Sequence, residues 1–270
     1  MSTFYEKRVS DFIDSQRSNG GFTETAPYVG IADAGLGGDS GPIGWQTYLP
    51  VALTWLYKYY SNLGAMEDAY VAATAYANFI ATAPAAAIEN GLGDWMTLEP
   101  SALALTGRGF EMMSYAAIAN ISNALGHVSD GAKWAAAAAV SAASINARFL
   151  DASTGAYHGP GFNGTQCAQA MPLFLGIVPD SNRTAVLAVL EEAIRARGGH
   201  LSVGSFGLKV CVAACRAMPD SRVFSKIIPQ KLLPVMRQVF CSPHAICAFV
   251  SECARLAPYH SYAVAPYVIG

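Results

Sequence analysis

Residues Arg108–Leu150, RGFEMMSYAAIANISNALGHVSDGAKWAAAAAVSAASINARFL, decide the fold class. Apolar residues recur at helical spacing on both sides of Gly126-His127-Val128-Ser129. The pattern predicts a helix from about Arg108 to Leu125, with Gly126 as its terminator. A second helix is predicted from about Asp130, a good N-cap, to Leu150. Two helices joined by so tight a link form an antiparallel hairpin.

The same pattern extends outward. Further helices are predicted over Phe4–Gln16, Thr47–Tyr60, Met66–Thr82, Thr165–Leu175 and Asp180–Arg197, with Gly198-Gly199 stopping the last, and another begins near Ser205. No stretch alternates with period two between turn signals, so no major strand is expected. Long connections (17–46, 83–107, 151–164, 198–204) alternate with tight ones (61–65, 126–129, 176–179). In a set of antiparallel hairpins, that alternation sends all the long loops to one end. Long loops in a compact domain usually carry function. The expectation is an all-α toroid of hairpins with an elaborated end; a helical solenoid would need a sequence repeat, and none is visible.

Composition supports a packed domain. The 270 residues are 53 % hydrophobic and 13 % charged, which excludes disordered and low-complexity classes. A net charge of −2 gives no case for nucleic acid or an anionic membrane surface. No apolar run reaches the ~18–20 residues of a membrane span. The N-terminus lacks the apolar core of a secretory leader, so a cytoplasmic location is the default expectation. Residues 1–208 carry 10 Lys/Arg and 17 Asp/Glu, whereas 209–270 carry 7 and 2, along with five of the six cysteines. That break divides the chain into a helical domain, 1–208, and a basic Cys- and Pro-rich tail, 209–270. Cys211, Cys215, Cys241, Cys247 and Cys253 lack zinc-site spacing and read as small apolar residues. No metal site and no cofactor are expected. Three Asn-x-Ser/Thr triplets, at Asn120, Asn163 and Asn182, say little without a secretory route.

The chemistry lies in the long loops. The glycine run from Gly35 to Gly44 lacks both the phosphate-loop Gly-Lys-Ser/Thr and the third glycine of a dinucleotide motif. It ends on Trp45, whose indole offers a flat apolar face to a sugar. Gly93-Asp94-Trp95 places a carboxylate beside an indole, a pairing suited to vicinal hydroxyls and sugar C–H faces. Gln166 and His200 add polar groups, and Glu24 and Glu99 add acids. Each residue has a structural alternative. Trp45 also reads as core, Asp94 as a turn cap with Trp95 anchoring the loop, Thr165-Gln166 as a helix cap box, and His200 as a structural histidine.

Taken in order, these motifs resemble the catalytic domain of bacterial-type α-L-rhamnosidases, glycoside hydrolase family 78. The segments are Gly37–Trp45, Leu53–Tyr60, Gly93-Asp94-Trp95, Ala104–Gly107, Thr165-Gln166 and Gly199–Gly204, over roughly residues 4–208. The resemblance implies an incomplete (α/α)6 toroid, inverting hydrolysis of terminal α-L-rhamnosides and no cofactor. It implies substrate contacts at Trp45, Asp94, Trp95, Gln166 and His200. It also places the family's general acid ahead of this sequence and its general base where the tail stands, whose one glutamate is Glu252. The chain is thus expected to be a fragment that holds sugar without cleaving it, unless Asp94, Glu99 or Glu24 substitutes. Alternatives are a non-catalytic or degenerate carbohydrate-binding homologue, or another toroid glycosidase or lyase. A lyase would draw on Tyr28, His200 and Arg108. Helix faces meant for absent neighbours would be exposed, which predicts self-association.

Overall fold

The computed structural model describes residues 2–30 and 35–215. Its helices are α1 (Ser2–Asp14), α2 (Ile43–Gln46), α3 (Tyr48–Tyr60), α4 (Gly64–Thr82), α5 (Ala85–Glu89), α6 (Leu103–Ala124), α7 (Val128–Phe149), α8 (Gln166–Leu175), α9 (Asp180–Ala196) and α10 (Ser205–Cys215). The long helices and the alternation of long and short connections follow the sequence reading. The differences are local. Two short helices, α2 and α5, lie inside the first two long loops, because elements of four and five residues are too short to show a period. A hairpin of two two-residue strands, β1 (His158–Gly159) and β2 (Phe162–Asn163), lies between α7 and α8. Residue 208, the compositional break, falls inside α10; Cys241, Cys247, Cys253 and Glu252 lie outside the described residues.

The central hairpin closes at Gly126, which takes φ +79°. Its N–H donates to Asn123 C=O and that of His127 to Ser122 C=O, the paired bonds that satisfy the last carbonyls of α6. Asp130 is not the cap of α7, which begins two residues earlier. Its carboxylate instead accepts a 2.6 Å hydrogen bond from the Tyr70 hydroxyl, tying α7 to α4.

Two compact units are present. The first comprises residues up to Gly93 and Leu103–Arg148; the second comprises Asp94–Ala102 and the described residues from Phe149 onward. In the first, Leu49, Leu53 and Leu56 of α3, Tyr76 and Ile80 of α4, and Leu105, Ile118 and Ile121 of α6 form the core. A chain of alternating charges links its helices. Arg148 of α7 donates to Glu89 of α5, Arg108 of α6 donates to the same carboxylate at 2.9 Å, and Arg108 reaches both oxygens of Glu111 at 3.0–3.1 Å. Ser141 donates to Glu111 at 3.0 Å. In the second unit, Tyr157, Ala168, Leu190, Ile194 and Cys211 are buried, and α8 packs against both α9 and α10.

Two outcomes are expected from the charge chain. Arg108→Met leaves Glu89 with Arg148 and Glu111 with the Ser141 hydroxyl, and the lost charge-assisted hydrogen bonds should cost about 1–3 kcal/mol in urea unfolding. Hydrogen bonds from Arg148 and Arg108 hold the Glu89 carboxyl below its ordinary 4.5. Its contribution to stability is therefore present above that value and lost as the pH falls through the folded-state value. Glu89→Gln should flatten the acid side of the stability–pH curve.

Candidate functional site

Segment 94–102 is inserted between helices of the first unit yet belongs to the second. Its two acids meet the start of two helices. Asp94, 1 % exposed, accepts the N–H groups of Gly204 and Gly207, both at 2.6 Å, at the start of α10. The Cys167 thiol also hydrogen-bonds it. Glu99 accepts the Gln166 N–H at 2.6 Å, at the start of α8, and the Ser202 hydroxyl at 2.9 Å through its other oxygen. The first N–H groups of a helix have no partner within it, and the positive end of the helix dipole favours an anion there. These carboxylates supply both needs from more than sixty residues away in sequence.

The fit is close enough to require glycine. A Cβ on Gly204 would lie 2.1 Å from Trp95 C=O, and one on Gly207 2.2 Å from an Asp94 oxygen. Backbone bonds complete the attachment. Ser205 N–H donates to Trp95 C=O at 2.8 Å, and Leu98 N–H to Ser202 C=O at 2.9 Å. On the segment so held, Trp95 is 45 % exposed, and its neighbour Met96 takes φ +64°.

Gln166 is fully buried. Its Oε1 accepts the Ser202 N–H at 3.0 Å and its Nε2 donates to His200 C=O at 3.0 Å. Thr165 precedes α8 as its N-cap but makes no side-chain cap bond, so Glu99 replaces the expected cap box. The His200 side chain is exposed. Asp94 and Glu99, both expected as acids, have every carboxylate oxygen engaged by the chain's own donors. Burial nonetheless pushes both carboxyls above their ordinary values, against the hydrogen bonds that pull them down.

In the first unit, Trp45 is half-buried on α2, and Glu24 is half-buried against Gly41. Of the residues that would serve a lyase, Arg108 is taken by Glu89 and Glu111, and the Arg17 guanidinium lies 4.2 Å from the Tyr28 ring centre. The cysteines Cys167, Cys211 and Cys215 are buried free thiols, all raised by desolvation. Among the described residues no group of three or more His, Cys, Asp and Glu side chains is arranged to hold a metal ion. No described helix is long and apolar enough to cross a membrane.

Two buried glutamines escaped the sequence reading. Gln46 accepts the Phe22 N–H at 2.7 Å and donates to Gly41 C=O. Gln169 accepts the Tyr157 N–H at 3.0 Å and donates to Tyr157 C=O at 2.7 Å. With Gln166, three carboxamides each tie a helix to a long loop. The one signal for them in the sequence is a glutamine at or near the start of a helix that follows a long loop.

Comparison with known proteins agrees with this architecture. Residues 1–234 match the family described as the bacterial α-L-rhamnosidase six-hairpin glycosidase domain, and the chain belongs to that family. It is 25 % identical over 237 residues to an α-L-rhamnosidase of Streptomyces avermitilis, spanning 86 % of this chain and 22 % of that protein. Its structure resembles the α-L-rhamnosidase of Dictyoglumus thermophilum, with a TM-score of 0.76, 24 % identity and coverage of 86 % of this chain and 26 % of that one. It also resembles the Streptomyces avermitilis enzyme complexed with L-rhamnose, with a TM-score of 0.69, 22 % identity and coverage of 83 % and 21 %. The chain therefore spans about a quarter or less of the length of these relatives. The fold is the helical hairpin class that the sequence predicted.

Asp94→Asn tests the cap. An amide presents one N–H₂ group to donors that need acceptors, so the melting midpoint should fall by the equivalent of about 1–3 kcal/mol. The pH dependence has a defined sign. The raised carboxyls of Asp94 and Glu99 hold protons in the folded chain that the unfolded chain releases, so their contribution is largest below their ordinary values of 3.8 and 4.5 and declines as the pH rises through the folded-state values. Unfolding curves across that range check it.

Proposed function

We propose that this chain is the sugar-holding part of an α-L-rhamnosidase-type glycoside hydrolase acting on terminal α-L-rhamnosides. Membership of the rhamnosidase six-hairpin family carries the reading. In the first unit, Trp45 offers its indole to sugar, and Glu24, held against Gly41 of the loop that leads to Trp45, is the acid. In the second, Trp95 and His200 are the outward groups that offer sugar contacts, while Asp94, Glu99 and Gln166 act by fixing the loops that carry them.

Inverting hydrolysis needs one carboxyl group to protonate the leaving oxygen and another to activate water, about 6.5–9.5 Å apart. Asp94 and Glu99 already accept helix N–H groups and a hydroxyl at all four oxygens. That observation favours a second reading for the chain taken by itself, a carbohydrate-binding module without turnover. The exposed aromatic residues of α1 and α3 (Phe4, Tyr5, Tyr57, Tyr59 and Tyr60) support self-association of the isolated chain.

The test is hydrolysis of p-nitrophenyl α-L-rhamnoside, with L-rhamnose binding followed by calorimetry on the same sample. Binding without turnover is the expected outcome. Turnover abolished by Asp94→Asn at unchanged fold would make Asp94 a catalytic acid and overturn its assignment to loop support. A chain that neither binds nor cleaves would overturn the sugar-holding reading.

A further inference from the structure

Helix α2 has four residues, and three of them, Ile43, Gly44 and Gln46, are buried, leaving Trp45 as the residue turned partly outward. Two sets of contacts fix it. On one side it is pressed onto α6. A Cβ on Gly44 would meet the Phe110 ring at 2.9 Å, and the Thr47 hydroxyl lies 3.0 Å from that of Ser114. On the other side the Gln46 side chain joins it to the glycine-rich loop.

The Gln46 contacts are specific in kind. Gly41 N–H donates to Phe22 C=O at 2.8 Å, a backbone pair that closes the loop. Beside the Leu36 N–H, which reaches Gly41 C=O at 3.4 Å, the groups of this pair still open to a partner are Phe22 N–H and Gly41 C=O. Gln46 takes both, accepting the first at Oε1 and donating to the second from Nε2. Its carboxamide thus adds two bonds across the pair. The same pair places Glu24, because Gly41 lies so close that a Cβ there would be 2.6 Å from Glu24 Cα.

We infer that Gln46 is a positioning residue for sugar engagement: its carboxamide welds the Phe22–Gly41 pair to α2 and so fixes the Trp45 indole and Glu24 relative to each other. The inference rests on the proposed reading of Trp45 as a sugar contact. Gln46 touches no substrate and acts through its neighbours. A carboxylate of the same shape would accept from Phe22 but oppose the Gly41 carbonyl oxygen, and it would do so in a fully buried place.

The experiment uses the full chain labelled with 5-fluorotryptophan. Its four tryptophans give four fluorine resonances, assigned by single Trp→Phe changes. Gln46→Glu is compared with Gln169→Glu, which breaks the corresponding clamp at Tyr157, and with Trp45→Ala. Gln46→Met, neutral and of similar length, replaces Gln46→Glu if the latter does not fold. Gln46→Glu is expected to move the Trp45 resonance and weaken L-rhamnose binding about tenfold, while Gln169→Glu moves neither. An unmoved Trp45 resonance overturns the inference whether or not sugar binds. A moved resonance with unchanged affinity, where Trp45→Ala lowers affinity, overturns it as well. Unchanged affinity in Trp45→Ala, or no binding by the parent chain, overturns the reading of Trp45 on which the inference rests.

Discussion

The second unit depends on anionic capping from outside its own helices. α8 and α10 both begin with N–H groups that no local side chain satisfies, and both are completed by carboxylates of segment 94–102. Each carboxylate gains charge-assisted hydrogen bonds and a favourable helix dipole, and each loses solvation on burial. The carboxyls of Asp94 and Glu99 are raised because the loss of solvation outweighs the hydrogen bonds that favour the charged form. The cost is reduced because the donors are preorganised: Gly204 and Gly207 let the backbone approach to where no Cβ would fit.

A second device recurs in the long loops. A loop of this length carries backbone groups that neither helix nor sheet can satisfy, and water cannot reach them once they are covered. Gln46, Gln166 and Gln169 answer that need, each accepting from a loop N–H and donating to a loop carbonyl. Glutamine suits the role because its carboxamide has the donor and acceptor of a peptide group at the end of a short tether.

The candidate residues of the long loops differ in setting. Asp94, Glu99 and Gln166 support loops, and the groups left facing outward are Trp95 and His200, with Trp45 half-exposed. Asp94 and Glu99 lie five residues apart on one segment, and both are drawn inward by helix N–H groups. An acid–base pair for glycoside hydrolysis must instead flank a sugar across a gap. Family membership and the engagement of these acids are compatible, because the chain matches only part of its relatives' length.

The sequence by itself determined the helical class, the positions of the long helices and the alternation of long and short connections, since these follow from local apolar spacing and from stops such as Gly126. It also marked the segments that resemble a rhamnosidase. It did not reveal α2 or α5, which are shorter than a reliable period, and it placed the start of α7 at Asp130, whose carboxylate binds Tyr70 on another helix instead. Above all, the hydrogen-bond partners of Asp94, Glu99 and Gln166 were decided by tertiary structure alone. A carboxylate beside an indole reads the same in sequence whether it meets a sugar hydroxyl or a helix N–H. The donors that Asp94 meets lie 110 and 113 residues further along the chain, and folding brings them to 2.6 Å.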